Sequence, residues 1–212
     1  MAKPGLQFVS NDINLEHGQA LILTGPNMGG KSCYLRQVGQ IAILAQIGSF
    51  VPASKASLPL FDAIFVRMGA RDDLEHGKST LFVEMEETSL MLNQATKHSL
   101  VLLDELGRGT STHDGTAIAK ATVQHLIHRI KCMTLFVTHF KVLTRIFPDK
   151  VGYMGYLKED TDVLFLYQLT PGSSKNSFGI NVAKMAGLDE EIVEHAKKIS
   201  ELYQAVHQSI AQ

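Results

Sequence analysis

The chain has 212 residues, of which 45% are hydrophobic and 19% are charged, so it can bury the core of one globular domain. With 20 Lys and Arg residues against 21 Asp and Glu residues its net charge is -1, which excludes a strongly basic domain that coats nucleic acid. Its two cysteines are too few for a disulfide framework, and we expect neither a secretion signal nor a membrane span, because no run of about 18 apolar residues occurs.

Strands and helices alternate through the first half of the chain. Residues 20–24 predict a short, fully apolar strand, and the helix after it carries its apolar residues at the spacing of one helical face. A second strand is predicted over residues 61–68, followed by a loop over residues 69–78. Ser79 is predicted to cap the next helix, whose apolar side we expect to consist of Phe82, Met85 and Leu92.

The same alternation continues with buried strands over residues 100–103 and 134–138, on either side of a helix over residues 114–130. Apolar strands that alternate with helices indicate parallel strands joined by crossover helices. The pattern then changes, because residues 151–157 and 163–169 are separated by an acidic turn and predict a β-hairpin added to the sheet. The predicted fold class is therefore α/β, with a mainly parallel sheet and flanking helices.

Asp189 is predicted to cap a last helix. The apolar residues of this helix follow one another in steps of four and three, a period of 3.5 residues that is typical of a seam facing a partner helix. A helix whose apolar side faces its own core is the alternative interpretation. The residues of this seam are Ile192, Ala196, Ile199, Tyr203, Val206 and Ile210.

A glycine-rich segment between the first strand and the first helix matches the pattern G-x-x-x-x-G-K-[ST]. Its glycines let the backbone curl so that several N–H groups point at one anion, and the helix presents its positive N-terminus to the same oxygens. In this pattern Lys31 reaches the β and γ phosphates, and the Ser32 hydroxyl ligates Mg²⁺. The predicted nucleotide-binding residues are Gly25, Pro26, Asn27, Met28, Gly29, Gly30, Lys31 and Ser32.

Two carboxylates follow the strand over residues 100–103, at the edge where ligands sit in open α/β sheets. We expect Asp104 to complete the Mg²⁺ site with Ser32, and Glu105 to polarise the attacking water as general base. His139 follows another buried strand and could hydrogen-bond the γ phosphate. The predicted catalytic residues are Glu105, His139 and Lys31.

A second anion site is predicted at Ser79, because its hydroxyl and the N–H groups of the first helical turn can bind phosphate. One chain cannot easily bring this site and the loop over residues 25–32 to the same phosphate. In a head-to-tail pair, Ser79 of one subunit could face the γ phosphate held by the other. The polar loop over residues 107–112 could carry signals across that boundary.

Several segments resemble the ATPase domain of the MutS mismatch-repair family. They are TGPNMGGKS, QIGSFVPA, LLDELGRGTSTHDG and VTHF, and SFGINVA extends the resemblance over nearly the whole chain. Residues 78–80 stand where transporter, SMC and Rad50-type relatives have a longer glycine-rich signature. Within the family, the chain looks most like the eukaryotic branch concerned with small insertion loops.

The resemblance implies a P-loop NTPase of ABC-ATPase type that uses ATP and Mg²⁺ at composite sites in a dimer. By this resemblance Ser79 is the serine that acts in trans. Residues 1–178 would form the ATPase domain, and residues 179–212 a helix-turn-helix that clasps the partner subunit. The residues that match the surroundings of the adenine in the family are Phe8, Asn11 and Tyr167.

The resemblance also implies a function and partners. Family members read mispaired or looped DNA with domains that this chain lacks, so it looks like the C-terminal piece of a longer protein. The expected function is an ATP cycle that sets the state of a DNA clamp, in a heterodimer with a second MutS homologue in the nucleus. A dimerisation module with negligible turnover is the alternative. A small-molecule kinase is disfavoured, because no lid or acceptor site is apparent.

Overall fold

A computed structural model describes residues 8–69, 79–147, 150–159, 162–174 and 178–210, which form six strands and six helices. Residues 70–78, which include most of the predicted loop, lie outside the described residues. The strands are β1 (Ala20–Thr24), β2 (Ile64–Arg67), β3 (Leu100–Asp104), β4 (Met133–Val137), β5 (Val151–Glu159) and β6 (Asp162–Pro171). The helices are α1 (Lys31–Gln46), α2 (Thr80–Gln94), α3 (Thr112–His125), α4 (Val142–Ile146), α5 (Gly179–Met185) and α6 (Glu190–Ile210).

The strands form one sheet in the order β2-β3-β4-β1-β5-β6. All neighbouring pairs are parallel except β5 and β6, which pair antiparallel as a hairpin at the edge of the sheet. The predicted α/β class with a mainly parallel sheet is confirmed. Because β1, β3 and β4 are adjacent and parallel, their carboxyl ends meet at the same edge.

Each face of the sheet is covered by a helix layer. Leu35 and Val38 of α1 pack with Leu23 and Leu102 on one face. On the other face, Val123 of α3 packs in a second cluster that is built from the alternate residues of the same strands. A strand that is buried on both faces has a continuous apolar sequence. This is why β1, β3 and β4 could be predicted from the sequence.

Three predicted details are wrong. Strand β2 is shorter than residues 61–68. On the predicted side of α2, Met85 and Leu92 pack against the core as expected, but Phe82 is exposed. The residues that α2 buries are Glu84, Thr88 and Met91. Ser111 caps α3, which therefore begins two residues earlier than predicted, and a π-helical segment, Leu126–Ile130, continues α3.

The C-terminal helices follow the hairpin. Phe178 is buried and packs edge-to-face on Tyr156 of β5, with the ring centroids 4.4 Å apart. Helices α5 and α6 contact each other. Within the described ranges, no helix combines the length and the apolar character needed to cross a membrane. The division of the chain at residue 178 stays a prediction.

Candidate functional site

The predicted phosphate, metal and catalytic residues meet at the carboxyl edge of the sheet. The glycine-rich segment over residues 25–32 runs from the end of β1 into the first turn of α1. Asp104 ends β3, Glu105 follows it, and His139 follows β4. Backbone hydrogen bonds fix this edge, because Glu105 N donates to Val137 O over 2.9 Å and Thr138 N donates to Leu23 O over 3.0 Å. We call this group of residues the phosphate side of the site.

Glycines shape the loop at two positions. Gly25 has φ +133, and a Cβ there would lie 3.0 Å from the backbone N of Met154 on β5. Gly30 has φ +95 and caps α1 in the left-handed conformation, which L side chains rarely adopt. The first N–H groups of α1 therefore open into the loop, as an anion site at a helix N-terminus requires.

Lys31 is held inside this loop. Its side chain is buried, and its Nζ donates to the carbonyl oxygens of Gly25 over 3.0 Å and Pro26 over 2.9 Å. Burial lowers the pKa of Lys31, and the carboxylates of Glu105 and Asp104 oppose that shift. A lysine so placed lies within the loop that is expected to wrap the phosphates.

Ser32 and Asp104 form the candidate metal site. Ser32 Oγ donates to Asp104 Oδ2 over 2.7 Å. The other carboxylate oxygen, Oδ1, is buried and accepts no hydrogen bond from any residue that the structure describes. Burial raises the pKa of Asp104. A partly buried hydroxyl and a carboxylate with one buried, unsatisfied oxygen are the hard oxygen donors that Mg²⁺ prefers, so the residues present fit this ion.

Glu105 lies between two basic side chains. His139 Nε2 is 2.5 Å from Glu105 Oε1, and Arg108 Nη1 donates to Oε2 over 2.7 Å. The hydrogen bond with His139 is the largest cause that lowers the pKa of Glu105. The structure thus brings two predicted catalytic residues together, with the imidazole on the carboxylate. Contact of His139 with a γ phosphate stays a prediction.

A buried network behind Glu105 was missed by the sequence analysis. Gly107 N donates to Glu84 Oε1 over 3.0 Å, and Arg67 Nη2 lies 4.0 Å from the same oxygen. Arg67 Nε lies 2.8 Å from Glu87 Oε2. The network ties α2, which begins at Ser79, to the chain two residues after Glu105. The burial of Glu84 could have been predicted from the helical spacing, because Glu84 lies on the same face of α2 as Thr88 and Met91.

The residues predicted near the adenine lie beside the loop. Phe8, Asn11 and Tyr167 line a pocket of about 580 Å³ together with Lys31 and Ser32. Phe8 is 81% exposed and Tyr167 is 41% exposed. A Cβ on Gly30 would lie 3.3 Å from Tyr167 Cδ1, so the tyrosine ring lies against the loop. We call Phe8, Asn11 and Tyr167 the base side of the site.

Ser79 does not line this pocket. It caps α2 by accepting a hydrogen bond from Phe82 N over 3.2 Å. The first turn of α2 packs on the loop after Glu105, since a Cβ on Gly109 would lie 3.4 Å from Leu81 Cβ. A role for Ser79 toward another subunit stays a prediction.

Comparisons with known proteins show which family this chain is similar to. The family model described as MutS domain V matches residues 21–204. The chain is 48% identical to the DNA mismatch repair protein Msh3 of Dictyostelium discoideum, over 94% of this chain and 15% of that protein. It is 49% identical to msh3 of Emericella nidulans, over 91% of this chain and 19% of that protein. It is 52% identical to MutS of Fervidobacterium nodosum, over 91% of this chain and 24% of that protein.

These relatives confirm the predicted family and the likeness to its eukaryotic branch, alongside bacterial relatives of similar identity. The chain spans between 15% and 24% of the length of these relatives.

Proposed function

Because the chain belongs to the MutS family and is its C-terminal domain V, we propose that it binds and hydrolyses ATP as a P-loop domain of ABC-ATPase type. One observation carries this proposal. Lys31, Ser32, Asp104 and Glu105 converge at the carboxyl ends of adjacent parallel strands, with an unsatisfied oxygen of Asp104 among them. Ligands bind at this edge in open α/β sheets.

Each residue of the phosphate side has a role in the proposal. Lys31 exchanges its bonds to the loop carbonyls for phosphate oxygens, which keeps its charge paired when the nucleotide binds. Ser32 and Asp104 hold Mg²⁺, which when bound neutralises phosphate charge. Glu105 orients the attacking water, and His139 and Arg108 fix the direction of its carboxylate.

The lowered pKa of Glu105 bears on its role. A carboxylate that stays ionised accepts a proton weakly, so we expect it to act by aiming and polarising the water.

The wider function rests on the relatives, which are named DNA mismatch repair proteins. We propose that the ATP cycle of this domain sets the state of a DNA clamp, and that mispaired or looped DNA is read by other parts of the full-length protein. The proposed partner is a second MutS homologue, whose Ser79-like residue completes the site. On the likeness to the eukaryotic relatives, we propose that the protein works in the nucleus.

Helix α6 supports a second candidate function, a dimerisation module with negligible turnover. Val193 of α6 is buried, and α6 contacts α5, whereas Ile192, Ile199 and Tyr203 of the predicted seam are exposed. Val206 and Ile210 lie in the part of α6 whose side chains are outside the described residues. An exposed apolar seam on the last helix favours an interaction surface over a core-facing helix.

The two functions are separated by Glu105→Gln in the full-length protein with its partner subunit. The substitution keeps the size of the side chain and removes its charge. We expect ATP binding to remain and steady-state hydrolysis to fall about 100-fold, the usual size of a general-base effect. Wild-type hydrolysis by Glu105→Gln would refute the assignment of Glu105. A wild-type complex that dimerises without measurable hydrolysis would favour the dimerisation module.

A further inference from the structure

Strand β6 is irregular where Tyr167 lies. Met154 pairs with Leu169 and Tyr156 pairs with Phe165, so Gly155 alone on β5 faces three residues of β6. Tyr167 is the middle one and has φ +54, a left-handed conformation that is costly for a tyrosine. A Cβ on Gly155 would lie 3.2 Å from Gln168 O, which is closer than an ordinary contact. The bulge therefore favours glycine, which has no side chain, at this position. The bulge turns Tyr167 toward the glycine-rich loop.

The side chain of Asn11 holds this bulge from outside the sheet. Asn11 Nδ2 donates to Tyr167 O over 2.8 Å, and Asn11 Oδ1 accepts from Leu169 N over 2.5 Å. β6 is the edge strand, so these two backbone groups face away from β5. The amide binds a C=O and the N–H two residues later, as the N–H and C=O of one residue in an added parallel strand would.

Asn11 is itself anchored to α1, because Gln37 Nε2 donates to Asn11 O over 3.1 Å. Its neighbour Asp12 is anchored in the same way, since Tyr34 Oη donates to Asp12 O over 3.0 Å. The segment that carries Phe8 is therefore tied to both α1 and β6 at one residue. Both polar atoms of the Asn11 amide are engaged by the backbone of β6, which points away from direct recognition of a base.

We propose that Asn11 is a positioning residue: its amide holds the bulge of β6 so that Tyr167 lies against the nucleotide loop and completes the base side. This inference rests on the proposed binding of ATP. It predicts that Asn11 affects the base of the nucleotide through Tyr167 and leaves binding of the phosphates unchanged.

The test measures binding of ATP and of inorganic tripolyphosphate, both with Mg²⁺, to the full-length protein with its partner subunit. Loss of two hydrogen bonds should make ATP binding by Asn11→Ala about tenfold weaker while tripolyphosphate binding stays within about twofold. The carboxylate of Asn11→Asp can accept a hydrogen bond from Leu169 N but repels Tyr167 O. We expect this variant to bind ATP and tripolyphosphate as Asn11→Ala does. Retained tripolyphosphate binding also shows that each variant is folded.

A double-mutant cycle with Tyr167→Gly distinguishes positioning from direct contact. Glycine at position 167 adopts the left-handed conformation without support, and it has no ring to position. Adding Asn11→Ala to Tyr167→Gly should therefore not weaken ATP binding further. The same loss in both backgrounds would overturn the inference by showing that Asn11 contacts the base itself. Equal loss for both ligands, or no loss for ATP, would overturn it as well. If the wild-type protein binds neither ligand, the proposed function fails and the inference fails with it.

Discussion

The phosphate side and the base side of the candidate site are built in different ways. The phosphate side stands on the central strands β1, β3 and β4. Lys31 is buried there, and the side chains of the pairs Ser32–Asp104 and Glu105–His139 are bonded to each other. The base side stands on the edge strand β6 and on the segment before β1, and its rings are 81% exposed at Phe8 and 41% exposed at Tyr167.

This difference indicates that the two sides bind different parts of the nucleotide. A mutually bonded set of charged and polar groups is preorganised for a ligand of fixed charge and shape, such as a polyphosphate with its metal ion. An exposed pair of rings, held by one amide at a sheet edge, can adjust to a flat base. We therefore expect substitutions on the phosphate side to have larger effects than those on the base side.

The largest effect is expected from Lys31→Ala. It removes the charge that the loop holds for the phosphates, so ATP binding by the full-length complex should weaken at least about 100-fold. Lys55→Ala, which changes an exposed lysine, is the matched control and should bind as the wild type does. Near-normal affinity of Lys31→Ala in equilibrium titrations would contradict the assignment of the loop.

Glu84→Ala should have the next largest effect. It leaves the N–H of Gly107 without its acceptor and removes a carboxylate that lies 4.0 Å from Arg67, which keeps Glu87 at 2.8 Å. The free energy of unfolding should therefore fall by about 1–3 kcal/mol. Urea denaturation followed by a probe in this domain measures it. Glu84→Gln keeps an acceptor for Gly107 and should lose less, so equal losses for the two variants would contradict the hydrogen-bond explanation.

The phosphate side could be predicted from the sequence because its parts are local. The loop pattern spans eight consecutive residues and includes Lys31, and Glu105 and His139 each follow an apolar strand within two residues. Adjacent parallel strands then bring these segments together. The contact between Glu84 and Gly107 was not predicted, because counting apolar residues on α2 selected Phe82 and passed over a buried glutamate.

Acid should reveal the contact between Glu105 and His139. The hydrogen bond with His139 lowers the pKa of Glu105 below its ordinary value of 4.5 in the folded state. Ionised Glu105 therefore stabilises the fold above about pH 4.5, and this contribution is lost as the pH falls through the lowered pKa. The stability difference between wild type and Glu105→Gln should shrink as the pH falls below about 4.5, in urea midpoints taken along a pH series. A difference that grows with acidity would contradict the contact.

The smallest effect is expected from Phe8→Ala on the base side. Loss of an exposed aromatic contact should weaken ATP binding by about fivefold, in keeping with about 1 kcal/mol for such a contact, and should spare tripolyphosphate. Phe50→Ala, which changes another exposed phenylalanine, should bind both ligands normally. If Phe8→Ala weakens tripolyphosphate as much as ATP, Phe8 does not belong to the base side.

The arrangement of the base side could not be derived from local pattern. Asn11 and Tyr167 are 156 residues apart, and the resemblance to a family placed both near the adenine without saying how they are related. The bulge that turns Tyr167 depends on the register between β5 and β6, which alternation in the sequence does not fix. The sequence likewise predicted an apolar seam on α6 but did not indicate that Val193, outside this seam, is the buried residue.

Calorimetric titration of ATP into the full-length protein with its partner subunit, with and without Mg²⁺, tests the central claim most directly. The arrangement of Lys31, Ser32 and Asp104 predicts saturable uptake of ATP that Mg²⁺ strengthens, and Asp104→Asn should make that uptake insensitive to Mg²⁺. No uptake by the wild-type protein, or the same Mg²⁺ response in Asp104→Asn, would contradict it.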